Sequence, residues 1–488
     1  MNYLSFAVCL LLALAAIKLL QFSAKKHRTL PPGPAGLPVF GNLFSLGDKP
    51  HITLAKLATT YGSLMTLRLG RVHTVVISSA EMAKEALQKN DISFCNRNVV
   101  DAVRAHNHHQ NSVVWLPASS KWRKLRRTGV LDASQGLRRN KVGDLLFCVE
   151  KNCADGTSVD IGPAAFTTSL NLLSTTFFSV DLSDPNSDFA GEFKKITREM
   201  IEELGKPNFA DYFPVLRRLD IQGIRRRTSV HFGRILGLFN TMIEQRLKNG
   251  KSLASSRQGA DVLDSLLGID EAKTEDIDPS EFSHLLLDLF GGGIDTTATT
   301  LEWAMAELFH RPEKLKKAKD ELQQVIRKGN SVEEHDIARL PYLQAVVKET
   351  LRLHPPLPFL IPRKVDTDIN LLGFTVPKNA QVLVNVWAIG RDPNTWDHPN
   401  QFEPERFVGS EIDVKGRDFE LIPFGAGRRI CTGLPLATRM LHLMLGSLIH
   451  GFDWKLEDGT LPEKMDMEEK FGISLEKAQR LRAIPVRL

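Results

Sequence analysis

The chain has 488 residues, 42% of them hydrophobic and 25% charged, which is enough apolar content for a large folded core and too much for a disordered chain. Its net charge is +6, yet no extended basic tail, zinc-finger spacing, RNP pattern or basic-aromatic stripe accompanies that excess, so it reads as a basic patch and excludes nucleic-acid recognition. The cysteines Cys9, Cys95, Cys148, Cys153 and Cys431 are an odd, scattered set, which excludes a disulfide framework and points to a reducing compartment for the main body.

Residues 3–22 are almost continuously apolar, interrupted by Ser5, Lys18 and Gln21. About twenty such residues span a bilayer, and Lys18 near one end can snorkel to the interface. Lys25, Lys26, His27 and Arg28 follow, so the positive-inside rule expects a single-pass anchor over residues 1–24 with the body of the protein in the cytosol. The competing reading, a cleaved secretory signal, wants a basic n-region, whereas the charge here sits on the other flank. Residues 25–42 read as a basic and proline-rich hinge, because Pro31, Pro32, Pro34 and Pro38 cannot continue a helix and stiffen the chain. Residues 43–488 read as one large globular domain.

Alternating apolar positions predict two short strands over residues 66–79, with a turn at Gly70-Arg71. Helical periodicity is expected over 79–89, 216–248, 302–327 and 340–353, and a second small sheet over 369–376 and 381–385. The whole is mainly α with small β-sheets. His106, His108 and His109 cluster, but no carboxylate or cysteine lies beside them at ligand spacing, and they read as an exposed loop in preference to a metal site. Trp122 and Arg126 share one helix face, while Arg123, Lys124 and Arg127 read as a solvated one.

A long helix is expected over residues 282–309, and it contains Gly291-Gly292-Gly293-Ile294-Asp295-Thr296-Thr297. Each interior glycine weakens a helix by about 1 kcal/mol relative to alanine. Two readings fit: a local distortion that opens a groove at a functional site, or one helix ending and another starting with Thr296 as its N-cap. Further on, Glu349 and Arg352 lie three residues apart on one helix face, and Pro404-Glu405-Arg406-Phe407 follows downstream.

Residues 421–436 read LIPFGAGRRICTGLPL and place Phe424, Gly427, Arg429, Cys431 and Gly433 at the spacing F-x-x-G-x-R-x-C-x-G. An apolar helical segment begins at Leu434, so the Cys431 sulfur is expected at a helix N-terminus, where orphan N–H groups and the dipole favour the thiolate and lower its pKa. Gly427 and Gly433 let the backbone approach a flat ligand closely. Arg429 can donate a charge-assisted hydrogen bond to a carboxylate, and Phe424 can limit water near the sulfur. A buried, inert cysteine is the bland alternative, but the combination of positions is what a haem-thiolate site needs.

This signature closely resembles the haem-binding stretch of the cytochrome P-450 family, and the central-helix, E-x-x-R and W-x-x-x-R stretches match as well. The resemblance implies haem b bound axially by Cys431, with Trp122, Arg126, Arg363 and Arg429 on its propionates and Phe424, Gly427 and Gly433 around the sulfur. It implies a buried structural triad of Glu349, Arg352 and Arg406, and an acid–alcohol pair, Asp295 and Thr296, that delivers protons during dioxygen activation. Gly425-x-Gly427 lacks the third glycine of a dinucleotide fingerprint, so electrons are expected from a separate NADPH–cytochrome reductase docking on basic residues such as Arg428 and Lys124. The family's plant microsomal members imply an endoplasmic reticulum membrane, with lipid as a further partner.

Residues 131–139, 207–217, 285–290 and 469–485 resemble the plant clade of geraniol hydroxylases and ferruginol synthases. By that analogy the distal pocket is walled by Val113, Trp115, Phe209, Leu289, Phe290, Phe359, Leu360, Ile361 and Ile473, which are apolar and suit a small terpenoid, either a monoterpenol such as geraniol or an abietane diterpene. In one respect the chain departs from its family: between Arg127 and Leu131 it is short by about ten residues, nearly three helical turns. Two rival functions accompany the monooxygenase reading. One is a haem-thiolate isomerase or dehydratase, which has little use for Asp295 and Thr296; the other is a haem-less variant impaired by that short link.

Overall fold

Gly70 takes a φ of 59° and turns β1 (Leu64–Leu69) back on β2 (Val72–Ile77), antiparallel, with Leu69 opposite Val72. Successive side chains point to opposite faces, so Met65, Leu67 and Leu69 feed one apolar cluster while Leu64, Val75 and Ile77 feed another. These elements belong to a computed structural model that describes residues 30–128, 134–182, 190–253, 263, 279–327 and 329–487. The short link after Arg127, at residues 129–133, lies outside them, as does the expected anchor over residues 1–24.

The first sheet grows by long-range pairing to the order β1-β2-β8-β5-β3, where β3 is Asn96–Arg97, β5 is Arg363–Lys364 and β8 is Gln381–Val384. Here the expectation of a second sheet is corrected. The hairpin of β6 (Ile369–Leu371) and β7 (Phe374–Val376) stands alone, whereas β8 runs parallel to β2. All four residues of β8 are buried, and a strand covered on both faces belongs inside a sheet.

The helical part, which packs largely on itself, begins with α1 (Pro50–Tyr61), α2 (Ser120–Thr128), α3 (Gln135–Asp155), α4 (Ile161–Phe178), α5 (Ala190–Gly205) and α6 (Ile224–Leu253). They are followed by α7 (Pro279–Gly293), α8 (Asp295–His310), α9 (Pro312–Val325), α10 (Pro341–Leu353) and α11 (Leu434–Gly451). From Thr297 to Phe309 every residue of α8 is buried, as befits a helix enclosed on all sides. Two expected helices are shorter than their periodicity suggested. Arg311 leaves the helical region at φ −129° and ψ 81°, because Pro312 disfavours helix at the preceding residue and starts α9 at a position needing no N–H. The helix expected from 216 begins at Ile224, after a bend at Asp220 and Gly223, and the Asp220 carboxylate accepts the N–H groups of Arg225 and Arg226 at 3.3 and 2.9 Å.

The C-terminal chain closes the molecule with β9 (Phe452–Leu456), the hairpin of β10 (Glu469–Phe471) and β11 (Leu475–Lys477), and β12 (Arg482–Arg487). A buried chain of polar groups ties it to the other end. Glu469 meets His51 of α1 at 2.9 Å and His354 at 3.4 Å, and His354 meets Glu307 of α8 at 2.7 Å while stacking on Trp303 at 3.8 Å. The described half of the hinge is docked and does not stand free: Thr66 N–H donates to Pro32 O at 2.8 Å, and a Cβ on Gly33 would sit 1.8 Å from Thr66 O.

Two further expectations are corrected. No helix among the described residues is long and apolar enough to cross a membrane, which stands against the single-pass endoplasmic-reticulum placement; the stretch expected to form the anchor lies outside those residues. The histidine cluster is not an exposed loop throughout, because His108 is buried, 3% exposed, and only His106 of the three is exposed. No group of metal-ligating side chains able to hold an ion occurs among the described residues.

Candidate active site

The loop before α11 is shaped by its backbone. Cys431 N–H donates to Phe424 O at 3.0 Å, and Gly427 takes φ 67°, where a Cβ would stand 2.2 Å from Leu87 O, so only glycine fits. Gly433 differs: its φ is −83° and it serves as the N-cap of α11. The Cys431 sulfur accepts the N–H groups of Gly433 and Leu434, as expected at a helix start. The expected fall in thiol pKa is nevertheless corrected, since burial pushes it up more strongly than the Gly433 and Leu434 N–H groups and Arg126 pull it down.

The free thiol opens onto a cavity of about 1010 Å³. Phe424, Cys431 and Gly433 line one side and Gly291, Gly292, Gly293, Thr296 and Thr297 line another. Of the predicted walls, Val113, Trp115, Phe209, Leu289, Phe359, Leu360, Ile361 and Ile473 all line it. Phe290 does not. One residue further round the helix than Leu289, it is 1% exposed and packs among Phe177, Phe178, Phe193 and Phe239.

Between α7 and α8 the helix is interrupted at Ile294, whose φ of −87° and ψ of −63° stay in the helical region and whose carbonyl accepts Ala298 N–H at 3.1 Å, so the glycine run ends in a local distortion and Thr296 is not an N-cap. Its hydroxyl donates to Gly292 O at 2.8 Å, and that of Thr297 donates to Gly293 O at 3.0 Å. Thr296 faces the cavity. Asp295 turns the other way, toward the C-terminal hairpin, where its carboxylate accepts the Ser474 hydroxyl; burial raises its pKa against that bond and the Arg198 charge.

Four guanidinium groups converge on the cavity edge: Arg97, Arg126, Arg363 and Arg429. Arg363 donates to Phe94 O at 3.0 Å and Arg126 to Ile430 O at 2.7 Å. Arg429 donates to the carbonyls of Cys95 at 2.7 Å, Val113 at 3.2 Å and Leu116, and lies 4.3 Å from the Trp122 ring centre. The Trp122 indole N–H donates to Val113 O at 3.1 Å. Burial pushes Arg363 and Arg429 down to about 10, and burial with three neighbouring arginines holds Arg97 well below its usual range. Arg97 escaped the sequence reading. It stands directly opposite Arg363 across β3 and β5, where like charges repel, and the Nε atoms of both are buried without a partner. Such a cradle fits an anionic ligand with carboxylate arms, and with the cavity-facing thiol it fits a haem.

The remaining predicted residues form a separate, fully bonded cluster. Arg352 meets Glu349 at 2.7 Å through two parallel hydrogen bonds, and Arg406 meets the same carboxylate at 3.1 Å. Arg352 also donates to the carbonyls of Gly390, Pro399 and Gln401. Buried charges persist only when satisfied in this way.

A family model described as Cytochrome P-450 matches residues 31–481. The chain is 52% identical over 493 residues to geraniol 8-hydroxylase from Catharanthus roseus, covering 99% of each. It is 53% identical to drimenol monooxygenase from Persicaria hydropiper, covering 99% of this chain and 97% of that one. With geranylhydroquinone 3''-hydroxylase from Arnebia euchroma it shares 47% identity, over 100% of this chain and 99% of the other. A match of that extent, over a fold whose cavity joins a thiol at a helix start to a cradle of arginines, makes this chain a member of the cytochrome P-450 family of haem-thiolate monooxygenases.

Proposed function

We propose that the protein hydroxylates a small apolar terpenoid, a geraniol-like monoterpenol or a polycyclic terpene of the drimane or abietane kind, and that the Cys431 sulfur would ligate the haem iron. What carries this reading is the cavity, with its sulfur on one side and a wall of apolar side chains on the other, together with the named activities of the relatives, two of which act on monoterpenoid or sesquiterpenoid alcohols. When bound, the haem supplies the activation of dioxygen by two electrons, so that one oxygen atom enters the substrate as hydroxyl and the other leaves as water.

The chain's own residues do the rest. Arg97, Arg126, Arg363 and Arg429 would hold the haem's carboxylate arms, with Trp122 stacked beneath Arg429. The Gly433 and Leu434 N–H groups bear on the sulfur and moderate its charge. Thr296 presents a hydroxyl to the cavity and passes protons inward, and Asp295 with Ser474 feeds it from the C-terminal hairpin. Apolar walls exclude water and leave the terpene's hydroxyl to orient near the mouth. An NADPH–cytochrome reductase supplies the electrons by docking near Lys124 and Arg428, the latter held in place by Asp91 at 3.0 Å.

The test is turnover of geraniol, drimenol and an abietane olefin by the haem-loaded protein with a purified plant reductase. Expected is a hydroxylated product that requires both NADPH and oxygen and disappears in Cys431→Ser. Absence of oxygen-dependent product from all three substrates would overturn the terpenoid reading.

A further inference from the structure

Residues 112–115, which form part of the cavity wall, are held from two sides at once. From the central helix, the Asp288 carboxylate accepts Val113 N–H at 2.7 Å, the Ser112 hydroxyl at 2.8 Å and His108 Nε2 at 3.0 Å. From the side of the arginine cradle, Val113 O accepts Trp122 Nε1 at 3.1 Å and Arg429 Nη1 at 3.2 Å. The Ser112 hydroxyl in turn accepts the N–H groups of Val114 and Trp115 at 3.1 and 3.2 Å, so the whole turn moves as a unit.

Asp288 is a costly residue to place in an apolar helix, and its side chain is 4% exposed. A buried carboxylate persists when hydrogen bonds satisfy it, and the proton delivery proposed above makes no use of it. Behind it, His108 Nδ1 faces His284 Nδ1 at 3.0 Å. Burial pushes His284 down to about 4, so it is neutral at physiological pH and shares one Nδ1 hydrogen with His108, whose Nε2 faces Asp288. The turn is thereby fixed in register with both the oxygen-activating helix and the haem-holding cradle.

We propose that Asp288 is a positioning residue for regiochemistry, setting through Ser112 and Val113 how far the wall at residues 113–115 stands from the reacting centre and so which carbon of the terpenoid is presented. This rests on the reading of the cavity as a terpenoid pocket. A displacement of the wall by one ångström changes which hydrogen lies within reach, because productive geometry tolerates little error.

The experiment uses the haem-loaded full chain, with geraniol as probe, and the variants Asp288→Asn and Ser112→Ala. Without substrate, amide exchange across residues 110–118 should quicken about tenfold or more in Asp288→Asn, whose single oxygen can serve either Val113 N–H or the Ser112 hydroxyl and His108 but not both sides. With geraniol, at equal haem content by the carbon-monoxide difference spectrum, the ratio of hydroxylated isomers should shift at least about threefold, with more NADPH consumed per product. Unchanged exchange together with an unchanged isomer ratio overturns the proposal, and a change in rate alone reduces Asp288 to a structural role. Should Asp288→Asn fail to hold haem, Ser112→Ala, which removes one of the three bonds, decides by the same readouts. If the native protein leaves geraniol untouched, drimenol or the abietane olefin takes its place as probe; failure with all three overturns the terpenoid reading, and the positioning claim then stands or falls on exchange and on the isomer ratio of whichever other substrate is turned over.

Discussion

Arg97 and Arg363 face one another from adjacent strands, and like charges so placed destabilise a haem-free protein by about 0.2–1 kcal/mol. Arg97→Met should therefore raise the unfolding temperature of the haem-free protein slightly while weakening haem retention by about tenfold, the loss of one charge-assisted bond to a carboxylate. Opposite signs in the two forms, read by calorimetry and by haem transfer to an acceptor protein, identify the cradle; equal signs would make Arg97 an ordinary core residue. The Cys431 stretch was legible in the sequence because its parts are local: a thiol, its flanking glycines and the helix after it lie within a few residues. Arg97 was not, since its meaning depends on a strand that arrives more than two hundred residues later. Phe290 shows a subtler failure, where hydrophobicity alone could not say which of two neighbouring helix positions faces the cavity and which faces the core.

At the scale of elements, the central helix is secured by a carboxyl group. Glu302 of α8 is 7% exposed, accepts Leu481 N–H at 2.8 Å, and packs so tightly on α4 that a Cβ on Gly162 would lie 2.7 Å from it. Burial raises its pKa from 4.5 to about 7. A carboxyl whose folded value lies above its unfolded one contributes stability that is complete below pH 4.5 and fades as pH climbs through about 7. The amount at stake is roughly 3 kcal/mol, and Glu302→Gln, which keeps the acceptor oxygen, should flatten the decline in unfolding free energy between those pH values. A pH profile unchanged by the substitution would refute the assignment. Helix existence was readable from periodicity along most of α7 to α10, but not the breaks. Pro312 signalled one of them, and the three glycines signalled another without revealing that it falls at Ile294. The strand β8 read correctly as a strand and wrongly as to its partner, because pairing is a tertiary decision.

For the molecule as a whole, the chain from His51 through Glu469 and His354 to Glu307 joins its first and last segments. Burial acts to raise the Glu469 pKa, but bonds from His354 and His51 and the charge of Arg391 outweigh it and hold the group well below the usual carboxylate range. With the folded value depressed, its contribution is complete above pH 4.5 and is lost as pH falls. Glu469→Gln should therefore cost about 2–4 kcal/mol near neutrality and progressively less in acid, as denaturant titrations at two pH values would reveal; a constant difference would exclude the linkage. The family was evident from sequence because its motifs are short and dense, whereas the docking of residues 31–42 onto β1 was not, since proline content speaks of stiffness and not of where a stiff segment rests. The four converging guanidinium groups carry a biological corollary. A chain that gathers them without a counter-anion holds like charges together at a cost, so its haem-free form should be the one most exposed to quality-control proteases, and cellular abundance of this protein should follow porphyrin supply as well as transcription.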